Sequence, residues 1–310
     1  MNPSKTLGVS IIIPTLNAAK HLPRLANAFA AQSKPPGEVL VVDSASEDGT
    51  QDMVRAFGWN LLEIPRSQFD HGGTRNLAAR SSRGELLVFM TQDAVPMDDS
   101  WLVELLRPLR ALEAEASYSR QVAWPSASPI ERYAREMNYP LESSLRRRED
   151  VARKGIRAYA LSNVSSATLR TTFERVGGFP ERVILNEDNV YASKVIGSGG
   201  AVAYVAASRV WHSHDYGLRE QLRRYFDIGV SHATEAEHFA GGTVGGAGLQ
   251  FVLGQLRHLF ETRAVTWIPR LTADTAARFV GYYAGRNYQM VPPRIRPSLS
   301  MHRTYWSEPR

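Results

Sequence analysis

Six polar side chains stand where apolar runs of this 310-residue chain end. Thr15 and Asn17 follow the β-branched run 9–13 and Pro14, Asp43 and Ser44 close the run EVLVVD, and Gln92 and Asp93 follow ELLVFM. In a parallel sheet covered by helices, ligands bind beyond the carboxyl ends of the strands, so these residues should line one crevice. A carboxylate placed like Asp43 accepts from a ribose hydroxyl or a base N–H. Asp93, alone after a wholly apolar strand, suits a hard divalent cation holding a pyrophosphate. His212 and His214 lie two apart, which on a strand puts both imidazoles on one face, and one of them could complete a metal site with Asp93. Two histidines without a third and fourth ligand nearby in sequence do not make a zinc site, and ordinary surface or core histidine is the alternative.

Glu187-Asp188 opens an expected helix, where acids belong on dipole grounds alone. An acid meant to take a proton would have to point back into the crevice. Residues 69–76, FDHGGTRN, form the densest polar segment. Its paired glycines allow close approach of backbone to a ligand, or an unusual turn. Arg75 would then stand in a first helical turn, where an anion meets both a guanidinium and free N–H groups. The segment is neither a Walker loop nor a Rossmann glycine motif.

The elements that must position these groups alternate. Strands are expected over 9–13, 38–43, 60–64 and 85–90, and helices over 18–32, 49–57 (N-cap candidate Asp48), 74–82 and 98–114. Four such alternations in about 110 residues predict a parallel sheet with helices on both faces. Beyond them the pattern loosens: a short strand over 121–124, the basic run Arg146-Arg147-Arg148, and small polar residues over 161–169 that suit a strand or loop facing a polar ligand. Then come a tight turn at Val176-Gly177-Gly178-Phe179-Pro180, a helix over 186–197, neighbouring strands over 201–205 and 210–214, and a long amphipathic helix over 218–239. The glycine-rich stretch up to Gly248 reads as a boundary before a mainly helical C-terminal region.

Composition narrows the classes. With no cysteine, disulfide scaffolds, Cys-based zinc sites, iron–sulfur clusters and thiol nucleophiles are excluded. The same absence fits the reducing cytoplasm. The N-terminus lacks the apolar core of a secretory signal, and no window approaches the length of a membrane span. The net charge of +6 resides wholly in residues 241–310, which hold nine Arg, no Lys, three acids and nine aromatic residues. Such a tail suits membrane lipid, a lipid-pyrophosphate substrate, nucleic acid, or simply a solvated helical face.

Taken in order, these motifs resemble glycosyltransferase family 2 over roughly residues 8–240: VSIIIPT, the Val41-Val42-Asp43-Ser44 strand end with Asp48-Gly49-Thr50, Arg75-Asn76 before Gly84-Glu85, Thr91-Gln92-Asp93, Gly177-Gly178-Phe179, Glu187-Asp188 and the late histidine. FDHGGTRN and Thr91-Gln92-Asp93-Ala94 are similar to its rhamnosyltransferase branch, whose donor is dTDP-L-rhamnose. The resemblance implies an α/β fold of GT-A type: a Rossmann-like, mostly parallel sheet with helices on both faces, plus a helical C-terminal extension. It implies a catalytic domain over 1–240, split near 115 into nucleotide-binding and acceptor/metal halves, and a separate basic region over 241–310. The activity implied is inverting sugar transfer from a nucleotide sugar to a saccharide or lipid-linked glycan acceptor, with Mg²⁺ or Mn²⁺. Pro14, Thr15, Asn17, Asp43, Ser44, Arg75, Gln92 and Asp93 would hold the donor. Asp93 and His212, with His214 the lesser candidate, would hold the metal, and Asp188 would be the base. Asn163, Glu187 and Arg224 would meet acceptor or phosphate, Arg224 because QLRRY is similar to the Q-x-x-R-W of processive synthases. Thr91 replaces the first Asp of the D-x-D motif, which leaves one carboxylate there.

A UDP-hexose or UDP-N-acetylhexosamine donor is the near alternative. A nucleotidyltransferase would need a basic, glycine-rich triphosphate loop near the first strand, which is missing, and a nucleic-acid binder acting through the tail is the distant alternative, so no nucleic-acid partner is expected. For the tail, peripheral contact with the inner membrane is expected, with an oligomer interface as its competing use.

Overall fold

A computed structural model describes residues 8–239 and 247–306. The expected boundary at the glycine-rich stretch falls mostly outside them, as does most of the N-terminal segment read above. Among the described residues nine strands form one sheet: β1 (Val9–Thr15), β2 (Glu38–Asp43), β3 (Asn60–Glu63), β4 (Leu86–Met90), β5 (Val95–Pro96), β6 (Ala116–Val122), β7 (Ser144–Arg146), β8 (Ser165–Leu169) and β9 (Val202–Trp211). Their order is β3-β2-β1-β4-β8-β6-β9-β5, with β7 pairing β9. Strands β3, β2, β1 and β4 run parallel, as the alternation predicts. From β4 onward the sheet is mixed: β8 is antiparallel to both β4 and β6, and β9 is parallel to β6.

Twelve α-helices accompany it among the described residues: α1 (Leu22–Ala30), α2 (Thr50–Ala56), α3 (His71–Ser81), α4 (Trp101–Arg110), α5 (Pro129–Asn138), α6 (Val151–Lys154), α7 (Arg170–Arg175), α8 (Glu187–Gly197), α9 (Leu218–Thr234), α10 (Ala247–Glu261), α11 (Ile268–Arg286) and α12 (Arg296–Leu299). Alternate residues of the central strands serve two cores, as strand geometry requires. Ile11, Ile13, Val39, Val41, Val88 and Met90 pack with α1 and α4, whereas Ile12, Leu40, Val42, Leu87 and Phe89 pack with α3 and α8. Burying a side chain of this size stabilises by roughly 1.5–3 kcal/mol, so both faces are committed.

Three differences from the sequence reading have local causes. Helix α3 starts at His71 rather than Thr74, because the Asp70 carboxylate caps Gly73 N–H at 2.6 Å and draws both glycines into the helix. Gly72 is needed there because a Cβ would fall 1.8 Å from the Pro180 carbonyl oxygen, so the close approach is to this chain's own backbone. Strand β6 begins at Ala116, well before the expected 121: its inward serines, Ser117 and Ser119, hide it from an apolar-run reading. The two strands expected over 201–214 are one, β9, whose register against β6 shifts between Ser119 and Arg120.

The C-terminal helices pack on the sheet-bearing part of the chain through α9. Helix α11 crosses α9 at backbone contact, and a Cβ on Gly285 would sit 2.0 Å from the Phe226 carbonyl oxygen, one on Gly281 2.3 Å from that of Leu222. After α11 the chain turns back along α9 to Trp306, packing Tyr288, Val291, Leu299, Tyr305 and Trp306 against Ile184, Phe226 and Val230. No helix among the described residues is long and apolar enough to cross a membrane.

Candidate active site

At the ends of β1 and β2, Asp43 is fully buried and its carboxylate is saturated. Oδ1 accepts from the hydroxyls of Thr15 (3.0 Å) and Ser46 (2.5 Å), and Oδ2 accepts from Ser46 N–H and Gln51 Nε2, both at 2.9 Å. Asn17, in the left-handed region at φ +50°, turns the chain across this edge and accepts from Glu47 N–H at 3.0 Å. Gln92 exchanges two hydrogen bonds with the Leu16 backbone, its Oε1 accepting at 2.8 Å and its Nε2 donating at 3.1 Å. Pro14, Thr15, Asn17, Asp43, Ser44 and Gln92 thus share one edge, tied to β4.

Asp93, next along, meets both histidines. Its carboxylate lies 3.7 Å from His212 Nε2 and 3.1 Å from His214 Nε2, and the two Nε2 atoms are 3.1 Å apart. All three groups place a ligand atom within 4.8 Å of the others. Gln121 orients the set. Its Oε1 already accepts from Arg135, and its Nε2 donates to Ser162 at 2.9 Å, so the 2.9 Å contact with His212 Nδ1 is one in which the imidazole donates. That tautomer leaves the Nε2 lone pair facing Asp93 and His214, the arrangement typical of a metal-ligating histidine. Burial pushes His212 down to about 3, so it is neutral and ready to coordinate at neutral pH. Against the upward push of burial, the His214 hydrogen bond and the neighbouring His212 hold Asp93 below the usual carboxylate range. One carboxylate and two imidazoles therefore fit a divalent cation, His214 supplying a third group where Thr91 leaves the motif a single carboxylate.

Asp188 sits across the loop 163–164. Its Oδ2 accepts from Asn163 N–H at 3.1 Å, and the next residue's carbonyl, Val164, accepts from Thr91 N–H at 3.3 Å. The chain reaches α8 through Asn186, left-handed at φ +67° and held to Ser231 at 2.9 Å, which points the first turn of α8 inward. The result is two adjacent acids with different partners, Glu187 buried and Asp188 half-buried. Arg75 Nη1 donates to Glu187 Oε1 at 3.2 Å, and Asn163 Nδ2 donates to the same oxygen at 3.2 Å. Although burial opposes it, the Arg75 charge holds Glu187 below its ordinary value. Asp188 is pushed the other way, up to about 7, by burial and by the Glu187 charge beside it. Environments that drive two carboxylates apart assign one a fixed charge and the other a proton-transfer role.

Arg75 itself lies in the second turn of α3, not the first, and is buried with Glu187 as its ion-pair partner. That geometry places it behind the acids, so contact with donor phosphate would require breaking a buried pair. Arg224 lies 5.5 Å over the Tyr216 ring, which stacks on His214. Sequence reasoning missed Gln121: the strand expected over 121–124 was placed too late, and in β6 Gln121 is the residue before the last, turned toward the site. A concavity of about 750 Å³ lies elsewhere, near Gly8, Trp59 and Arg83, and its one carboxylate, Glu38, is engaged by Ser10, Asn60 and Arg83.

The sheet order and the site at the β1, β2 and β4 ends define a GT-A glycosyltransferase fold. A mannosyltransferase from Pyrobaculum calidifontis, solved with GDP-Man and Mn²⁺, shares it with a TM-score of 0.59 at 21% identity, over 96% of this chain and 86% of that one. Residues 10–177 match the model of glycosyl transferase family 2, and the chain belongs to that family. It is similar along nearly its whole length to two O-antigen chain rhamnosyltransferases. WbaN of Salmonella anatum is 36% identical over 303 residues, covering 96% of this chain and 95% of the relative. RfbN of Salmonella typhimurium is 36% identical over 304 residues, 96% of each.

Proposed function

We propose that this glycosyltransferase moves L-rhamnose from dTDP-L-rhamnose, with inversion, onto a saccharide or lipid-linked glycan during synthesis of a bacterial surface polysaccharide in the cytoplasm. The inward-facing Asp188, raised toward neutral pH one loop away from Asp93, is the observation that carries the chemistry. The sugar assignment is supported by the full-length similarity to the two rhamnosyltransferases.

Asp188 takes the proton of the acceptor hydroxyl as that oxygen attacks the anomeric carbon from the face opposite the nucleotide. Glu187, kept ionised by Arg75, makes Asp188 the stronger base, while Asn163 and Asn189 N–H groups fix its orientation. Thr15, Asn17 and Asp43 form the nucleoside edge, and a base N–H reaches Asp43 by displacing Ser46 or Gln51. Asp93, His212 and His214 would hold Mn²⁺ or Mg²⁺, whose charge neutralises a departing diphosphate and so acts in the transition state. Two imidazoles beside one carboxylate favour Mn²⁺ over Mg²⁺.

Exposed apolar residues on α10 (Leu249, Leu253, Phe260) and α11 (Phe279, Val280, Tyr283) stand in the arginine-rich region, and this surface is assigned to peripheral contact with an anionic membrane. The decisive experiment for the activity is release of nucleoside diphosphate from a panel of nucleotide sugars, with Mn²⁺, with Mg²⁺ and with chelator. Cation-dependent turnover of dTDP-L-rhamnose alone is expected. Preference for a UDP-sugar would discard the rhamnose assignment.

A further inference from the structure

The described segment after α11 packs back along α9, and the mechanism above does not use it. Two contacts from one stretch of α9 tie it down: Arg223 Nε donates to the Ser298 carbonyl at 3.0 Å, and Met301 N–H donates to the buried Asp227 carboxylate at 2.8 Å. The next residue is His302. Its Nδ1 lies 3.3 Å from His71 Nε2, the rings meeting edge to face with centroids 4.7 Å apart. His71 begins α3, and its carbonyl accepts from Arg75 Nη1 at 2.8 Å, the same nitrogen that donates to Glu187. His71 thus holds Arg75 through its backbone, and both imidazoles lie within reach of the charge of Glu187, the neighbour of Asp188.

Both rings are half-buried. Burial pushes each below its ordinary value, His302 to about 3, where His71 beside it adds to the effect. At neutral pH the pair is uncharged, which makes it a poor receptor for phosphate or carboxylate. A neutral imidazole offers one donor and one acceptor nitrogen. With one nitrogen of each ring spent on the other, His71 Nδ1 and His302 Nε2 remain, a complementary set for sugar hydroxyls.

We propose that His302, delivered by the C-terminal segment, and His71 form the acceptor-sugar subsite beside Glu187 and Asp188, and that its ligand is the hydroxyl-bearing face of a terminal hexose glycoside. The inference rests on the reading of the chain as a nucleotide-sugar transferase with Asp188 as base. His302 acts on where the acceptor sits, not on the donor.

The test uses the full chain with Mn²⁺ and compares nucleoside diphosphate release in water with release in the presence of octyl glucoside, octyl galactoside and octyl mannoside, below their micelle concentrations. Binding of the same glycosides is followed by saturation-transfer NMR. At least one should bind and accelerate release. His302→Ala should raise the half-saturating glycoside concentration about tenfold, the loss of one hydrogen bond, with release in water and the donor KM unchanged. His302→Gln, which keeps a donor and an acceptor, should recover most of the affinity. Unaltered glycoside saturation in His302→Ala, or no binding of any of the three glycosides to the wild-type chain, would overturn the subsite. Failure of the wild-type chain to turn over any nucleotide sugar would instead remove the reading beneath it.

Discussion

Asp188→Asn separates catalysis from stability in a way that depends on pH. Burial and the Glu187 charge lift Asp188 from 3.8 to about 7, and each unit corresponds to about 1.4 kcal/mol, so the ionised carboxylate destabilises the fold by at most about 4 kcal/mol. Because Glu187 shares that strain, and the group borders the open crevice, about half is expected on replacement. Between pH 4 and 7 the folded chain holds a proton that the unfolded chain has released. Wild-type stability therefore falls as pH rises through this window and levels off above it. Asparagine carries no charge, so its advantage is absent near pH 4, grows toward neutrality, and reaches about 2 kcal/mol at pH 8. For 310 residues that is roughly 3 °C in melting temperature. Turnover should fall by about 10²–10⁴, the contribution of a positioned base, while donor binding persists. Thermal melts at pH 5 and pH 8 and nucleoside diphosphate release on the same preparations read both effects. Equal melting temperatures at pH 8, a difference that does not vary with pH, or wild-type turnover would refute the reasoning.

Four further outcomes are expected. His214→Ala should weaken Mn²⁺ binding, followed by calorimetry or by the Mn²⁺ resonance signal, and Gln121→Ala should do so by about 10–100-fold through loss of His212 orientation; full affinity in His214→Ala would leave Asp93 and His212 as the only protein ligands. Gly285→Ala drives a methyl into the Phe226 carbonyl and should lower stability by about 1–3 kcal/mol in urea melts, so an unshifted midpoint would mean that α9 and α11 are not in backbone contact. Replacing Leu249, Leu253 and Phe260 by serine should reduce flotation with anionic liposomes; unchanged flotation would sink the membrane assignment.

Strands β1, β2 and β4 were legible because their runs are apolar on both faces, and the polar groups after them marked the ligand edge. Beyond β4 the signal changed. Strands β6 and β8 bury serines and threonine, with Ser119 bonded at 2.7 Å to both Ser165 and Ser208, and such hydrogen-bonded interiors leave no hydrophobic trace. The expected strand over 210–214 stops at Trp211, so His212 and His214 meet Asp93 from the loop after β9, and strand periodicity alone could not give His214 its equal standing. Arg75 stood out by residue type, but its partner lies 112 positions away and turned an expected anion site into a buried ion pair. His302 had no motif around it, because what gives it a place is the fold of the tail.

The backbone contact between α9 and α11 also bears on how the protein is made. The last sheet strand ends at Trp211, but α11 ends only at Arg286. At roughly 5–20 residues per second, several seconds of translation separate the two. During that interval the nascent chain carries a finished sheet and a bare face of α9, around Phe226 and Val230, that nothing yet covers. Chaperones have a defined patch to hold in that window. A message truncated within it would yield a product that displays the same patch permanently, a natural mark for proteolytic disposal.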